Sequence, residues 1–382
     1  MILGGIADSE LFPIVPQLSV VLFVSFLCSL AGTWLCRRIA LRFGIVDKPD
    51  ELVKTHTEPV AYLGGLAILA GCAVGIFTGV SYLQGCVQLG AAASWLLGIL
   101  GAGTIACFVG VADDVFEIKP WHKVLGQSVA AVVLVAVGIR PALDSFTAAF
   151  DYQIPQAVET VISFVFAMVF VLGATNSLNL LDGIDGLCIS VTAVIAVGML
   201  GLGILAESRN DLDFAGPVRI IIALSILGAV CGFWPFNKHP ARIFMGDAGS
   251  LFLGFMMAGL MMLFAAAGPK WGLCSIMIFA LPILDTAVAF ARRWLNKRPL
   301  FVADRGHIYD QMMDRGITLN KTVAICCNLA GVYVLIGLLM SRMRIMYALI
   351  VCIIVFVVSS IVVWKKGFLK MDGLRGAIQK EH

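Results

Sequence analysis

Asn176-Ser-Leu-Asn179-Leu-Leu-Asp182-Gly-Ile-Asp185-Gly186-Leu187 lies between two apolar runs, Val158 to Ala174 and Leu187 to Leu205. Four side chains able to hold a cation or a sugar therefore stand where a hydrophobic span meets water. They recur at every third residue, 176, 179, 182 and 185. On a helix, steps of three keep neighbours on one slowly rotating face. Gly183 and Gly186 make a regular helix less secure and let a ligand approach the backbone closely. Carboxylates at membrane depth are costly, so they point to function. The plain alternative is a polar loop between spans, with glycine for its turn.

Working outward, the rest of the chain is as apolar as the flanking runs. Of its 382 residues 60% are hydrophobic and 13% charged, with a mean hydropathy of +0.96, against about 25% charged in soluble domains. Stretches of about 20 apolar residues, enough to cross a bilayer, fall at 15–36, 62–83, 91–112, 122–139, 158–175, 186–206, 218–235, 249–267, 271–291, 322–341 and 345–364. The third runs into Asp113-Asp114 and the fourth is short. The sequence thus predicts an all-α polytopic membrane protein of about 10–11 transmembrane helices. It reads as one integral membrane domain over 1–382, with no separate soluble part and no internal repeat. Asp8 and Glu10, with no early basic run, do not look like a cleaved leader. The eleven cysteines lie mostly inside apolar runs without a C-x-x-C pair, and read as small hydrophobes.

Charge gives an orientation. Twenty-one of the 27 Lys and Arg fall on alternate loops, with the largest groups at Arg37–Lys54, in 292–321 and after 364. The other side holds Arg140, Arg209, Arg219, Lys270, Arg342 and Arg344. The positive-inside rule then places the N-terminus outside, and the loop 292–321 and the tail 365–382 in the cytoplasm. The same cytoplasmic face collects Asp113, Asp114, Asn179, Asp182, Asp185, His239, Asp247 and His307, whereas the external loop 206–217 reads as solvated.

Gly110-Val-Ala-Asp113-Asp114-Val-Phe-Glu117 ends the third span. Adjacent helical residues diverge by about 100°, so the two aspartates cannot share one task. One can face a ligand while the other turns to a neighbour such as Lys123. Asp-Asp-x-x-Glu also resembles the aspartate-rich motifs of membrane prenyltransferases, which bind diphosphate through magnesium, so a second enzyme class stays open. In Asn237-Lys-His239-Pro240-Ala-Arg242-Ile-Phe244-Met245-Gly246-Asp247-Ala-Gly249-Ser250, Asp247 precedes a helix start, where free N–H groups favour an anion. A plain N-cap by Asp247 or Ser250 is the alternative. Many carboxylates and amides with few histidines suit a hard cation, and magnesium takes one or two protein oxygens beside phosphates and waters. The basic stretch Arg292 to His307 reads either as topogenic charge or as a phosphate clamp.

Taken together these motifs resemble the polyprenyl-phosphate N-acetylhexosamine-1-phosphate transferases. The resemblance rests on Gly-Val-Ala-Asp113-Asp114, Lys123 with Gln127, Asn-Leu-Leu-Asp-Gly-Ile-Asp-Gly at 179–186, and Pro-Ala-Arg-Ile-Phe-Met-Gly-Asp-Ala-Gly-Ser at 240–250. Ile45-Val-Asp47-Lys-Pro49, Lys54-Thr-His56, Pro59 and Leu63-Gly64-Gly65 extend it, so that it covers roughly 15–340. It is nearest to the bacterial branch that makes undecaprenyl-diphospho-N-acetylglucosamine. The resemblance implies transfer of an N-acetylhexosamine 1-phosphate from a UDP-sugar, UDP-GlcNAc first among them, to polyprenyl phosphate at the inner membrane. It assigns Asn179 and Asp247 to Mg2+, with Mn2+ as a substitute. Asp113, Asp114, Lys123 and Asp182 become the catalytic set. Lys54, Asn176, Asp185, His239, Arg305 and His307 become substrate-binding residues. A homodimer is among the expected partners and nucleic acid is not. Two positions depart from the family: Tyr309 and Asp310 stand where Asp-Arg-x-His-x-His-His carries its second and third histidines, and Tyr62 stands where a basic residue often precedes Leu-Gly-Gly.

Overall fold

A computed structural model describes residues 15–47, 59–83, 89–143, 154–207, 215–298 and 306–370. Among these the elements are α1 (Val15–Phe43), β1 (Val46–Asp47), β2 (Val60–Ala61), α2 (Gly64–Leu83), α3 (Leu89–Phe116), α4 (Pro120–Ala136), α5 (Gln156–Leu181), α6 (Leu187–Glu207), α7 (Gly216–Asn237), α8 (Gly246–Ala267), α9 (Pro269–Ile278), α10 (Ala280–Leu295), α11 (Ile308–Asp314), α12 (Leu319–Met340) and α13 (Ile345–Lys365). Helices dominate because a backbone in lipid must satisfy its own hydrogen bonds within the segment. Nine of them are long and apolar enough to cross a membrane, and α9 with α10 form a further, bent pair.

Contacts at the helix ends place the third and fourth expected spans, the second of which, the 17-residue α4, is not among the nine. The 28-residue α3 runs unbroken through Asp113-Asp114. The short α4 starts beside α8, through Lys123 and Asp247. Beyond its C-terminus, Ala142 N–H donates to Ala265 O near the end of α8 at 3.0 Å. Helix α4 with its extension therefore traverses the same bundle depth as the 22-residue α8, about 33 Å at 1.5 Å per residue.

The ninth span is not the single straight helix expected over 271–291: α9 and α10 meet at 70° around Phe279. Pro282, in the first turn of α10, has no N–H for the carbonyl of Ile278, which is where α9 ends. The pair still crosses, since α9 leaves the far end of α8 while Thr286 on α10 donates to Ser177 near the end of α5, 3.0 Å between the hydroxyls. Arg37 Nε donates to Arg242 O at 3.2 Å, and Gln311 Nε2 to Phe368 O at 2.9 Å. The end of α1 and the segment after α13 are thus both on the polar end of the bundle, and the start of α1 is on the other.

Helix α8 is the hub. In its most apolar stretch, as in that of α7, 83% of residues are buried, against 6% in α13. Between helices in lipid the apolar environment is the same bound or free, so close packing drives association. A Cβ at Gly65 would run into the Gly249 backbone, and one at Gly110 into Asp247 and Ala248. Those two positions let α2 and α3 lie directly on the first turn of α8. A strap holds the same turn. The β1–β2 pair is antiparallel, Ala61 bridges Ile243, Ala61 O accepts from Phe244 N–H at 2.9 Å, and Gly65 N–H donates to Met245 O at 3.0 Å.

Candidate active site

The first turn of α8 carries Asp247, and three other helices bring polar groups to it. Lys123 Nζ, from the first turn of α4, donates to Asp247 Oδ2 at 2.5 Å and to Asp113 Oδ2 at 2.6 Å. Asn179, in the last turn of α5, donates from Nδ2 to Asp247 Oδ1 at 2.8 Å and to Ser250 Oγ at 3.0 Å. Asp114 turns away from Asp113, as neighbours on a helix must. Its two oxygens accept the N–H groups of Asp247 at 2.8 Å and Ala248 at 3.1 Å. Asp114 is thus the cap of α8, supplied from another helix, and the alternative of a cap by Asp247 or Ser250 gives way to it: no side-chain cap comes from the N-cap residue, Met245. Gly246, at φ +65°, makes the sharp entry. This arrangement releases the Asp247 carboxylate to face Lys123 and Asn179.

Asp182 and Asp185 lie in the turn after α5, which ends at Leu181. Helical spacing therefore holds for 176 and 179 but not for 182 and 185. Asp182 accepts no hydrogen bond from another described residue. Its burial and the nearby carboxylates of Asp247, Asp114 and Asp185 hold it well above the ordinary carboxylate range. Asp185 Oδ2 accepts from His239 Nδ1 at 2.8 Å and from Ala241 N–H at 3.0 Å, tying this turn to the loop before α8. Asn176 is not brought into the cluster. It is exposed, and its amide donates to Leu172 O of its own helix at 2.7 Å. Lys54 and Arg305 lie outside the described residues.

His307 is placed differently from the others. Its ring is buried on the α10 side, with Nδ1 2.7 Å from Asp285 Oδ2, and it stacks on Tyr309. Sequence reasoning passed over Asp285, although a lone carboxylate inside an apolar span is the signal that finds it. Tyr62 was noted only as a departure. Burial comes first, and the charges of Asp47, Asp114, Asp247 and Asp182 next, in pushing its phenol above its ordinary value. It therefore stands in the field of the acidic cluster.

Chemically, Asp113 and Asp247 share one ammonium, Lys123, while the Asp114 carboxylate is met by two backbone N–H groups and Asp182 stands beside them. Asp113, Asp247 and Lys123 keep 18%, 22% and 25% of their side-chain surface open, so a ligand can reach them. Among the described residues no three Asp, Glu, His or Cys side chains form a ready-made metal cage. The donors that do meet are the carboxylate of Asp247, the amide of Asn179 and the hydroxyl of Ser250, a set able to hold a hard cation through oxygen.

Comparison with known proteins gives the family. The model of glycosyl transferase family 4 matches residues 96–265, the segment that runs from α3 to α8 and carries every residue of the cluster. A Bacillus subtilis protein named "Probable undecaprenyl-phosphate N-acetylglucosaminyl 1-phosphate transferase" is 28% identical over 92% of this chain and 93% of its own length. The undecaprenyl-phosphate alpha-N-acetylglucosaminyl 1-phosphate transferase of Yersinia pestis is 27% identical over 85% of each. The phospho-N-acetylmuramoyl-pentapeptide-transferase of Streptococcus mutans is 30% identical over 66% of this chain and 72% of its own. By that identity and coverage, together with the matched segment and the residues it contains, the chain belongs to glycosyl transferase family 4.

Proposed function

We propose that the protein transfers N-acetylglucosamine 1-phosphate from UDP-N-acetylglucosamine to a polyprenyl phosphate, giving the polyprenyl-diphospho-sugar and UMP. The observation that carries this reading is the convergence of Asp113, Lys123, Asn179 and Asp247 at one end of a membrane bundle, in a chain whose relatives are named for this transfer. A lipid phosphate oxygen forms a bond to the β-phosphorus of the donor, and the bond from that phosphorus to the oxygen bridging to the α-phosphate breaks. The electron pair leaves with UMP. A phosphate is already an anion near neutral pH, so positioning and charge neutralisation do most of the work.

The acidic cluster alone would repel a diphosphate. Its oxygen donors fit a magnesium ion, which keeps phosphate and water ligands beside one or two from protein. Asp247 and Asn179 would hold it, the Asn179 amide turned to present its oxygen. When bound, the ion neutralises charge on the diphosphate and on the leaving UMP. Lys123 is held by Asp113 and Asp247 where it can meet a phosphate, and Asp113 orients that ammonium. Asp182 and Asp185 line the turn beside the cluster on the donor side. The basic loops at the polar end support a cytoplasmic site at the inner membrane.

Purified protein incubated with undecaprenyl phosphate and a panel of UDP-sugars tests the reading. The expected result is a lipid product heavier by GlcNAc 1-phosphate, with UMP released, lost on chelation and restored by magnesium. Release of pyrophosphate instead would favour a membrane prenyltransferase. Substrate flux through protein-containing liposomes without chemistry would favour a cation-coupled transporter, which the one-sided placement of the ionisable groups opposes.

A further inference from the structure

Asp285 and Tyr309 have no part in the cluster, yet they form a continuous link to it. Asp285 stands on the first turns of α10, just past the break, with 2% of its side chain exposed. It uses both oxygens: Oδ2 meets His307 Nδ1 at 2.7 Å and Oδ1 accepts Ile308 N–H, the first of α11, at 2.8 Å. A carboxylate can only accept, so Nδ1 carries the proton and the tautomer of His307 is fixed. The His307 ring lies nearly parallel to that of Tyr309, 8° apart with centroids 5.5 Å apart. Tyr309 is buried and its hydroxyl donates to Leu180 O at 2.9 Å. Leu180 is in the last turn of α5, where carbonyls have no partner within the helix. It follows Asn179 and precedes the Asp182 turn by two residues. Gly183 has no side chain where the Tyr309 hydroxyl lies.

We propose that Asp285 and Tyr309 are positioning residues for the transfer: Asp285 locks the His307 ring, and Tyr309 carries that order to the end of α5, so that Asn179 is held against Asp247 and the Asp182 turn beside it. Tyr309 thus does at this position what a phosphate-facing histidine would not. It pins the loop to the catalytic turn through a backbone carbonyl. This rests on the transfer reading, and the experiment separates the two.

Tyr309→Phe removes one oxygen and keeps the ring and its stacking, so the fold is retained. One lost hydrogen bond is worth roughly a fivefold change. The kcat for transfer from UDP-GlcNAc to undecaprenyl phosphate should fall by about fivefold or more, with both KM values within about twofold, because the ligand contacts themselves are untouched. Asp285→Asn puts a donor opposite His307 Nδ1 and should lower kcat at least as far. If both act through one link, the double variant falls no further than the weaker single variant. Amide exchange over 178–190 should speed up in Tyr309→Phe. A kcat within twofold of the parent protein, a loss confined to KM, or single losses that multiply in the double variant would each overturn the proposal. If Asp285→Asn does not fold, the Tyr309→Phe result decides alone. A parent protein that transfers no sugar phosphate overturns the transfer reading, while the exchange measurement still shows whether the link holds the turn.

Discussion

Two acidic centres sit at the same end of this bundle and are treated in opposite ways. Around Lys123, two carboxylates share one ammonium, Asp182 beside them accepts no bond from another described residue, and the cluster keeps part of its surface open. At His307, the Asp285 carboxylate has a donor on each oxygen and is closed from solvent. Burying charge is costly unless it is paired. The second centre meets that demand within the chain and can only hold shape. The first meets it only in part, which fits the proposed arrival of a cation and a phosphate. The contrast separates a place built to bind from a place built to hold.

The sharpest way to break the contrast is Asp247→Ala. Asp247 joins α8 to Lys123 and Asn179 at once, and it is the proposed metal ligand. Transfer should fall by about three orders of magnitude or more, as when a transition-state charge loses its stabiliser. Thermal unfolding should change little, because the backbone of the turn stays capped by Asp114. Near-parental turnover with magnesium would end the metal assignment.

Asp113→Asn comes next. It keeps the shape and removes the charge that orients Lys123 from α3. The expected loss in kcat is about ten- to a hundredfold, with UDP-sugar affinity changed by less than about threefold. Equilibrium binding of the nucleotide sugar beside steady-state rates measures the split. Weaker nucleotide binding with intact turnover would move Asp113 from the acceptor to the donor side.

Much of this was legible in the sequence, for physical reasons that also mark where it stops. Membrane spans announce themselves by length and apolarity, and the divergence of Asp113 and Asp114 follows from helix geometry. The break at Phe279 was not read, because the run 271–291 is apolar on both sides of it and Pro282 near a helix start looks tolerable. Its consequence appears only when the carbonyl of Ile278 is followed. Asp285 was missed for a related reason: its partner lies 22 residues on, across a basic stretch, and no local pattern joins them. Tyr309 and Asp310 read only as departures from the family's histidines, since a sequence cannot show that a phenol reaches the carbonyl of Leu180.

The smallest expected effect is at Asn176, and it tests the three-residue spacing that first drew attention to this stretch. Asn176 and Asn179 are the same residue type less than one helical turn apart, which is about 300° of rotation at 100° per residue. That leaves them on neighbouring but distinct lines of α5. Asn179 faces α8 and bonds Asp247 and Ser250. Asn176 is exposed and bonds only its own helix at Leu172. Removing an exposed side chain that bonds backward along its helix costs within about 0.5 kcal/mol. Asn176→Ala should therefore leave kcat and both KM values within about twofold, while Asn179→Ala in the same assay should lose activity by about a hundredfold or more. A large loss at 176 would mean that the donor sugar extends along α5 away from Asp247, and the binding surface would have to be redrawn along that helix.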